Sequence, residues 1–323
     1  MTSRDCVFVS APAKINLFLH VGDRRSDGYH NLESLVAFAL HHDDIRLDRD
    51  EALSLSVGGP FGAALPISDN NLVLRAARLL AEKTGVCAGV RITLTKTIPV
   101  ASGLGGGSAD AAAVLRGLVQ LWDLDIGREA LHQIAASLGA DVPVCLDSTA
   151  AWMEERGERI TLLPPLPDIR FLLVNPGVPV STAQVFAALD RRRGTGLECP
   201  RTRFEGADAL VRFLRSTAND LEEPACAIAP VVGEVLEEMR RLPEISIARM
   251  SGSGATCFGI FDSQGALQSA TSRLADRHPD WWIAGTGLAP VQTSAPAFDQ
   301  QLRSTQNSAT APRASLRAPG GSG

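Results

Sequence analysis

The sequence predicts an α+β fold in two domains. The chain has 323 residues, more than one small core organises and enough for two medium domains. A proline-rich run, Leu163-Pro164-Pro165-Leu166-Pro167, changes the texture of the chain near its middle. Beyond it the segments read β, α, α, β, β, α, β, close to a split βαβ sandwich of ferredoxin-like type. Domains are therefore expected at 1–165 and 166–292. Residues 293–323 are rich in Ser, Ala, Pro, Gln and Gly. A disordered tail is expected there, because such a segment buries too little apolar surface to offset its ordering entropy.

The first half opens with a strand-like segment, Val7 to Lys14. Leu32 to Leu40 is mostly apolar, and Asp44 to Asp50 is charged and extended. Leu53 to Val57 alternates, and Gly58, Gly59 and Pro60 end it. Leu72, Ala76, Leu79 and Leu80 share one face of a helix over Asn71 to Lys83, with Asp69 and Asn70 as candidate N-caps. Val90, Ile92 and Leu94 alternate with Arg91, Thr93 and Thr95, which marks a half-buried strand over Gly89 to Thr97. Pro99 stops it. A glycine-dense loop leads into an alanine-rich helix, Ser108 to Leu121. A second helix covers Arg128 to Leu138, with Gly139 as its C-cap signal. Asp141 and Pro143 fall in the following loop, and Trp152 to Thr161 reads as a hairpin around Gly157.

In the second half, Ile169 to Val174 is a strand and a short helix starts at Ser181 and Thr182. A longer helix is expected over Pro224 to Arg241, where Ile228, Val231, Val232, Val235, Leu236 and Met239 recur with helical period. Ile245 to Ile260 holds two strand-like runs joined by Ser251-Gly252-Ser253-Gly254. A helix over Ala266 to Arg277 and a strand over Trp281 to Ala284 complete the order.

Net charge is −5 and the pI is near 5.7. That balance argues against a nucleic-acid partner, which usually meets a basic excess. No apolar run approaches the ~18–20 residues of a membrane span. The first ten residues carry Arg4 and Asp5 and do not read as a secretion signal. The six cysteines are scattered without a CxxC pair, so structural zinc and a disulfide framework are not expected. The expectation is a cytoplasmic protein with reduced thiols, a monomer or weak homodimer.

The segment with most chemistry runs Pro99-Val100-Ala101-Ser102-Gly103-Leu104-Gly105-Gly106-Gly107-Ser108-Ala109-Asp110. It follows a strand and opens a helix. Glycine lets a backbone approach a ligand closely. A helix N-terminus offers unpaired N–H groups and the positive end of a dipole. Together they suit phosphate. A Walker A loop would end in Gly-Lys-Ser/Thr, and the lysine is missing. The dinucleotide fingerprint needs glycine where Ser108 stands. This is a third kind of loop, and the alternative is a tight turn without a ligand.

The loop resembles the central phosphate loop of the GHMP kinases, a superfamily that covers galactokinase, homoserine, mevalonate and phosphomevalonate kinases. Ala11-Pro12-Ala13-Lys14-Ile15-Asn16-Leu17 resembles its first motif and Met250-Ser251-Gly252-Ser253-Gly254-Ala255-Thr256 its third. Three motifs in the right order are far more specific than one loop. Arg25-Ser26-Asp27-Gly28-Tyr29-His30 and Gly139-Ala140-Asp141-Val142-Pro143 narrow the match. They resemble the branch that phosphorylates the 2-hydroxyl of 4-diphosphocytidyl-2-C-methyl-D-erythritol in the non-mevalonate isoprenoid pathway. The resemblance spans about Val7 to Leu288. It implies a ribosomal protein S5 domain 2-like N-terminal domain, which the element order alone does not yield, and a ferredoxin-like C-terminal domain. It also implies ATP as phosphoryl donor and Mg²⁺ as companion.

By that resemblance Lys14 and Asp141 are the catalytic pair. An aspartate can accept the acceptor's hydroxyl proton, and a lysine stabilises negative charge at the point of transfer. Taken singly, Lys14 reads as a solvated strand end and Asp141 as a loop cap. The resemblance assigns ATP to Pro99, Ala101, Ser102, Gly103, Leu104, Gly105, Gly106, Gly107, Ser108 and Ala109, with Asn71 and Lys96 near its base. The family more often has a second serine where Ala109 stands. The Ser108 hydroxyl either ligates Mg²⁺ or caps the helix. Tyr29 and His30 are expected to hold the cytosine by stacking and edge hydrogen bonding, with Phe186 on its other face. Alone, Phe186 reads as a core residue and His30 as a turn histidine. Asn16 lies two residues from Lys14 and so on the same side of a strand. Thr182 either bonds substrate or caps its helix, and Gly252 and Ser253 wall the phosphates. The alternatives are another GHMP kinase, of homoserine or mevalonate type, and a catalytically silent sensor on the same fold. Silent relatives usually lose the transfer residues, and Lys14 and Asp141 are both present.

Overall fold

A long antiparallel hairpin frames the first half. β1 (Cys6–Arg24) and β2 (His30–Asp50) pair from Cys6 against Asp48 to Arg24 against His30. The structure, a computed structural model, describes residues 5–190 and 192–290. The tail expected at 293–323 lies outside the described residues. From Ala11 to Val21 every residue of β1 is buried, the pattern of a strand covered on both faces. That explains why the strand runs far past Lys14. The two extended runs expected at 32–50 are likewise one strand.

β3 (Ser54–Gly58) and β4 (Gly89–Thr95) pair in parallel, connected through α1 (Leu72–Thr84). The glycine loop leads into α2 (Gly106–Leu121), followed by α3 (Arg128–Leu138) and α4 (Val142–Asp147). β5 (Ala151–Glu155) and β6 (Arg159–Leu162) form the expected hairpin. The sheet order is β3-β4-β2-β5-β6, with β1 on β2. Leu118 and Leu121 of α2, Leu80 of α1 and Leu47, Ile92 and Leu94 of the sheet share one core.

The second half contains β7 (Arg170–Asn175), α5 (Thr182–Ala187), α6 (Ala207–Arg215), α7 (Glu222–Ile228) and α8 (Pro230–Arg240). It closes with β8 (Ile247–Met250), β9 (Cys257–Phe261), α9 (Gln264–Arg277) and β10 (Trp282–Gly287). The strand order β10-β7-β9-β8 is antiparallel throughout. Counted within this half it is 4-1-3-2, the order of the ferredoxin-like motif.

Four local readings are corrected. The helix expected over Pro224 to Arg241 is two helices, because Pro230 has no N–H to continue the first and instead opens the second. α6 was not expected, and neither was α4, where a loop was read. The cap of α1 is Asn71, whose Oδ1 accepts from Val73 N at 2.9 Å, rather than Asp69 or Asn70. Between the sheets, Ile15 and Phe18 of β1 lie in one cluster with Phe171, Phe258 and Ile260 of the second sheet.

Candidate active site

One cavity of about 1150 Å³ gathers most of the residues singled out above. It exceeds the ~300–1000 Å³ of ordinary ligand pockets, which suits two substrates. Lys14 and Asp141 meet on its wall at 2.9 Å. The lysine is nearly enclosed, whereas 40% of the aspartate side chain is exposed. Asp141 occupies the N-cap position of α4 but makes no capping hydrogen bond. Its carboxylate therefore faces the cavity instead of serving the helix. Lys14 Nζ also donates to Asn16 Oδ1 at 3.3 Å, and Asn16 Nδ2 donates to Ser34 Oγ at 2.8 Å. The Ser34 hydroxyl donates to Phe18 O at 2.6 Å. The chain of bonds fixes Asn16 beside the pair, as the period-two reading of β1 expects.

The glycine loop crosses the third motif at close range. Gly103 has φ +80°, and a Cβ there would stand 2.4 Å from Ser251 O and 2.8 Å from Gly254 O. No side chain fits at that crossing. Thr256 N donates to Ser102 O at 3.0 Å, and the Ser251 hydroxyl donates to Gly103 O at 3.0 Å. Ser251 Oγ also accepts from Asn16 N at 3.1 Å. Gly105 is the N-cap of α2 in the left-handed region, and no side chain caps this helix. The first amides of α2 are thus left for a ligand. Among the described residues the hydroxyl of Ser108 makes no hydrogen bond, so its capping alternative is set aside. Ser102 Oγ is buried without a partner among the described residues.

Five expected nucleotide residues lie off the cavity wall. Pro99, Leu104 and Ala109 are buried in the packing beneath the loop. Asn71 is spent on its cap. Lys96 is 2% exposed, and its ammonium sits between Asp43 and Asp110, 2.8 Å from Asp110 Oδ2. Asp43 Oδ1 accepts from Thr97 N and Ile98 N at 2.6 and 2.9 Å. Burial pushes the Asp110 carboxyl up to about 7, against the pull of Lys96. Lys96 thus braces the loop from behind: a Cβ on Gly106 would stand 3.2 Å from its Nζ.

Tyr29, His30, Thr182, Phe186, Gly252 and Ser253 all line the cavity. Phe186 stacks on His30 with ring centroids 5.6 Å apart and an 18° tilt. A base between two rings needs two contacts of about 3.5 Å, so no base fits between this pair as it stands. Tyr29 is 59% exposed, and Arg156 lies 4.5 Å over its ring centre. Thr182 Oγ1 and Ser253 Oγ bond at 2.7 Å. The cap of α5 is Ser181, not Thr182. Burial, then Arg192 and Arg24, hold the His30 imidazole below its ordinary range.

Comparison with known proteins supplies the decision. The family model of the GHMP kinases N terminal domain matches residues 71–149, and that of the GHMP kinases C terminal matches residues 204–280. A protein of Rhodospirillum rubrum named 4-diphosphocytidyl-2-C-methyl-D-erythritol kinase is 46% identical over 91% of this chain and 96% of its own. A protein of the same name from Paramagnetospirillum magneticum is 48% identical over 87% of this chain and 98% of its own. The chain belongs to the GHMP kinase family. A crystal structure of 4-(cytidine 5'-diphospho)-2C-methyl-D-erythritol kinase superposes with a TM-score of 0.72 at 35% identity. It covers 88% of this chain and all of the other. A homoserine kinase from Cytophaga hutchinsonii shares the fold at TM-score 0.65 and 18% identity.

Within this GHMP kinase the N-terminal match contains the glycine loop and Asp141, while Lys14, Asn16, Tyr29 and His30 precede it. Sequence reasoning missed Ser34, Ser251 and Arg156 in the site, and Asp43 behind it. Only Ser251 had a signal, its place in a glycine turn. Asn219 was also missed. Its Nδ2 donates to Met250 O and Gly252 O at 2.8 and 2.7 Å and shapes the third motif from a distant segment.

Proposed function

We propose that this chain is an ATP-dependent kinase that phosphorylates the 2-hydroxyl of 4-diphosphocytidyl-2-C-methyl-D-erythritol, in the non-mevalonate route to isoprenoid precursors. The observation that carries the reading is the Lys14–Asp141 pair at 2.9 Å in one cavity with the glycine loop and the aromatic residues. The relatives' shared name supports the acceptor. Residues 1–165 bring the loop and the pair. Residues 166–292 bring Thr182, Phe186, Gly252 and Ser253. We read the enzyme as cytoplasmic and as a monomer or weak homodimer. Among the described residues no helix is long and apolar enough to cross a membrane.

The ATP phosphates rest on the amides that open α2, with the unpaired Ser102 hydroxyl as a further partner. No group of three or more His, Cys, Asp or Glu among the described residues is placed to hold a metal by itself. The donor set fits Mg²⁺ in the manner of a phosphate-borne ion, which takes few protein ligands; here the Ser108 hydroxyl is the one offered. When bound, such an ion would supply charge neutralisation to the phosphates.

Asp141 takes the proton of the acceptor hydroxyl as that oxygen bonds to the γ-phosphorus. The bond from the γ-phosphorus to the bridging oxygen breaks, and ADP leaves. Lys14 places its charge where the transferred oxygens pass. Asn16, held by Ser34, and Thr182, held by Ser253, orient the acceptor. Tyr29 and Phe186 stack on the cytosine and His30 bonds its edge. The test is phosphorus NMR of the purified protein with ATP, Mg²⁺ and each candidate alcohol. A new phosphomonoester on the cytidylyl alcohol is expected. Transfer to mevalonate or homoserine instead, or to none, would overturn the reading.

A further inference from the structure

We infer that Arg24 and Arg192 form the anion subsite for the diphosphate of the acceptor. The inference rests on the cytidylyl-acceptor reading above and adds the residues that read its charge. Arg24 ends β1 and is the cross-strand partner of His30. Directly opposed residues of an antiparallel pair project to the same face, with Cβ atoms about 5 Å apart. Arg192 follows α5, the helix that carries Phe186. Each member of the stacked pair therefore brings a guanidinium with it, and both cations line the cavity. Both act on the His30 imidazole in the same sense, against its protonated form.

Neither cation has an ion pair among the described residues. Four acids near this mouth are taken by other groups. Asp27 pairs with Arg25 at 3.2 Å and Arg156 at 3.7 Å, and Glu155 with Arg25 at 3.8 Å. Asp220 accepts from Val21 N and Arg193 N at 2.8 and 2.9 Å. Glu33 accepts from Gly196 N and Leu197 N at 3.2 and 3.1 Å. Arg24 donates only its Nε, to Gly28 O at 3.3 Å. Arg192 has no ion pair among the described residues. Two guanidiniums without an ion pair among the described residues, at one cavity mouth in a chain of net charge −5, mark a place for an anion. The guanidinium fork matches phosphate oxygens two at a time.

The position selects which anion. The amides of the glycine loop serve the donor's phosphates. The arginines adjoin the aromatic residues that take the acceptor's base, and a nucleoside diphosphate carries its phosphates one ribose away from that base. Donor and acceptor phosphates thus meet two different chemistries, backbone amides and guanidiniums. Acceptors without a diphosphate offer the arginines no such partner.

The test compares cytidine 5'-diphosphate with cytidine as competitors of the acceptor. In the unmodified enzyme the diphosphate is expected to bind about tenfold or more tightly than cytidine, the scale of charge-assisted phosphate contacts. In Arg24→Gln/Arg192→Gln that advantage should shrink to about threefold or less. The KM for the acceptor should rise about tenfold, and the KM for ATP and the affinity for cytidine should hold. Both residues are exposed, so the melting temperature should not move. Arg273→Gln, on the exposed side of α9, is the control. An unchanged advantage in the double variant, with cytidine still competing, overturns the inference and leaves the acceptor reading standing. Equal losses for cytidine and the diphosphate overturn it too, since the arginines would then serve the base. Failure of cytidine to compete with the acceptor in the unmodified enzyme overturns the acceptor reading itself, and this inference with it.

Discussion

Asp141 and Lys14 divide the site between water and protein, since the carboxylate is 40% exposed and the ammonium side chain 4%. The exposed partner is the one a substrate hydroxyl can reach. Asp141→Asn keeps the shape and removes the proposed base, and kcat should fall by about 10²–10⁴. The KM for ATP should change little, because the donor rests on other groups; steady-state kinetics checks both. His30 tests the sign of a charge effect. Burial, Arg192 and Arg24 all disfavour its protonated form, so it should titrate below 6.5 and be neutral at pH 7. The acceptor's KM should be flat above that pH and rise as His30 gains its proton below it. An NMR titration should also show the pKa rising in Arg24→Gln/Arg192→Gln. At this scale the motifs made Lys14, Asp141, Tyr29 and His30 legible. Ser34 and Asn219 were not, because a lone serine in a strand and an asparagine before a helix carry no signal until the chain brings them to Asn16 and Met250.

At the scale of elements, two devices hold the pair in place. The Arg116 side chain, on α2, donates to Cys145 O and Leu146 O at 2.8 and 3.2 Å, near the end of α4, and to Ser10 O of β1 at 2.8 Å. One guanidinium thus ties the strand of Lys14 to the helix of Asp141. Arg116→Met removes these bonds, leaving Cys145 O only its bond from the Ser148 hydroxyl at 2.6 Å, and should destabilise the protein by about 2 kcal/mol. It should also lower kcat more than it raises the KM for ATP, measured well below the melting temperature. The glycine crossing is the second device. Gly103→Ala places a Cβ against two carbonyl oxygens at a positive φ and should destabilise by more than about 1 kcal/mol. Chemical denaturation checks the magnitude, and a raised KM for ATP would show that the loop has moved. Periodicity revealed α1, α2 and α3 but not α4, whose single turn is too short to show a stripe. It also fused α7 with α8, because the apolar stripe continues across Pro230 and hides the break.

At the scale of the molecule, the described residues hold two sheets around a joint interior. Ile15 and Phe18 pack in one cluster with Phe171 and Ile260, and Ala289 N donates to Phe38 O at 2.7 Å. Unfolding should therefore be one cooperative transition, with a calorimetric enthalpy that matches the van't Hoff value. Two separated transitions would contradict the joint interior. The ferredoxin-like order of the second half was legible because its strands are short, separate and bounded by turn residues. The first half was not. Its organising hairpin runs through a polar interruption at His41, His42 and Asp43, which divides the sequence pattern into two runs, yet Asp43 is buried on Lys96. A buried ion pair inside a strand is invisible to any apolar pattern.

β1 is covered on both sides, and this bears on how such a chain can be recombined. A splice at the proline run 163–167 would interrupt none of the strands, so it looks like a natural joint for swapping halves between relatives. Yet each graft would set Ile15 and Phe18 against foreign counterparts of Phe171 and Ile260, in the strand that carries Lys14. Chimeras joined there should recover full turnover only when the β1 segment travels with the second half, which makes this strand, rather than the boundary, the inheritable unit of the site.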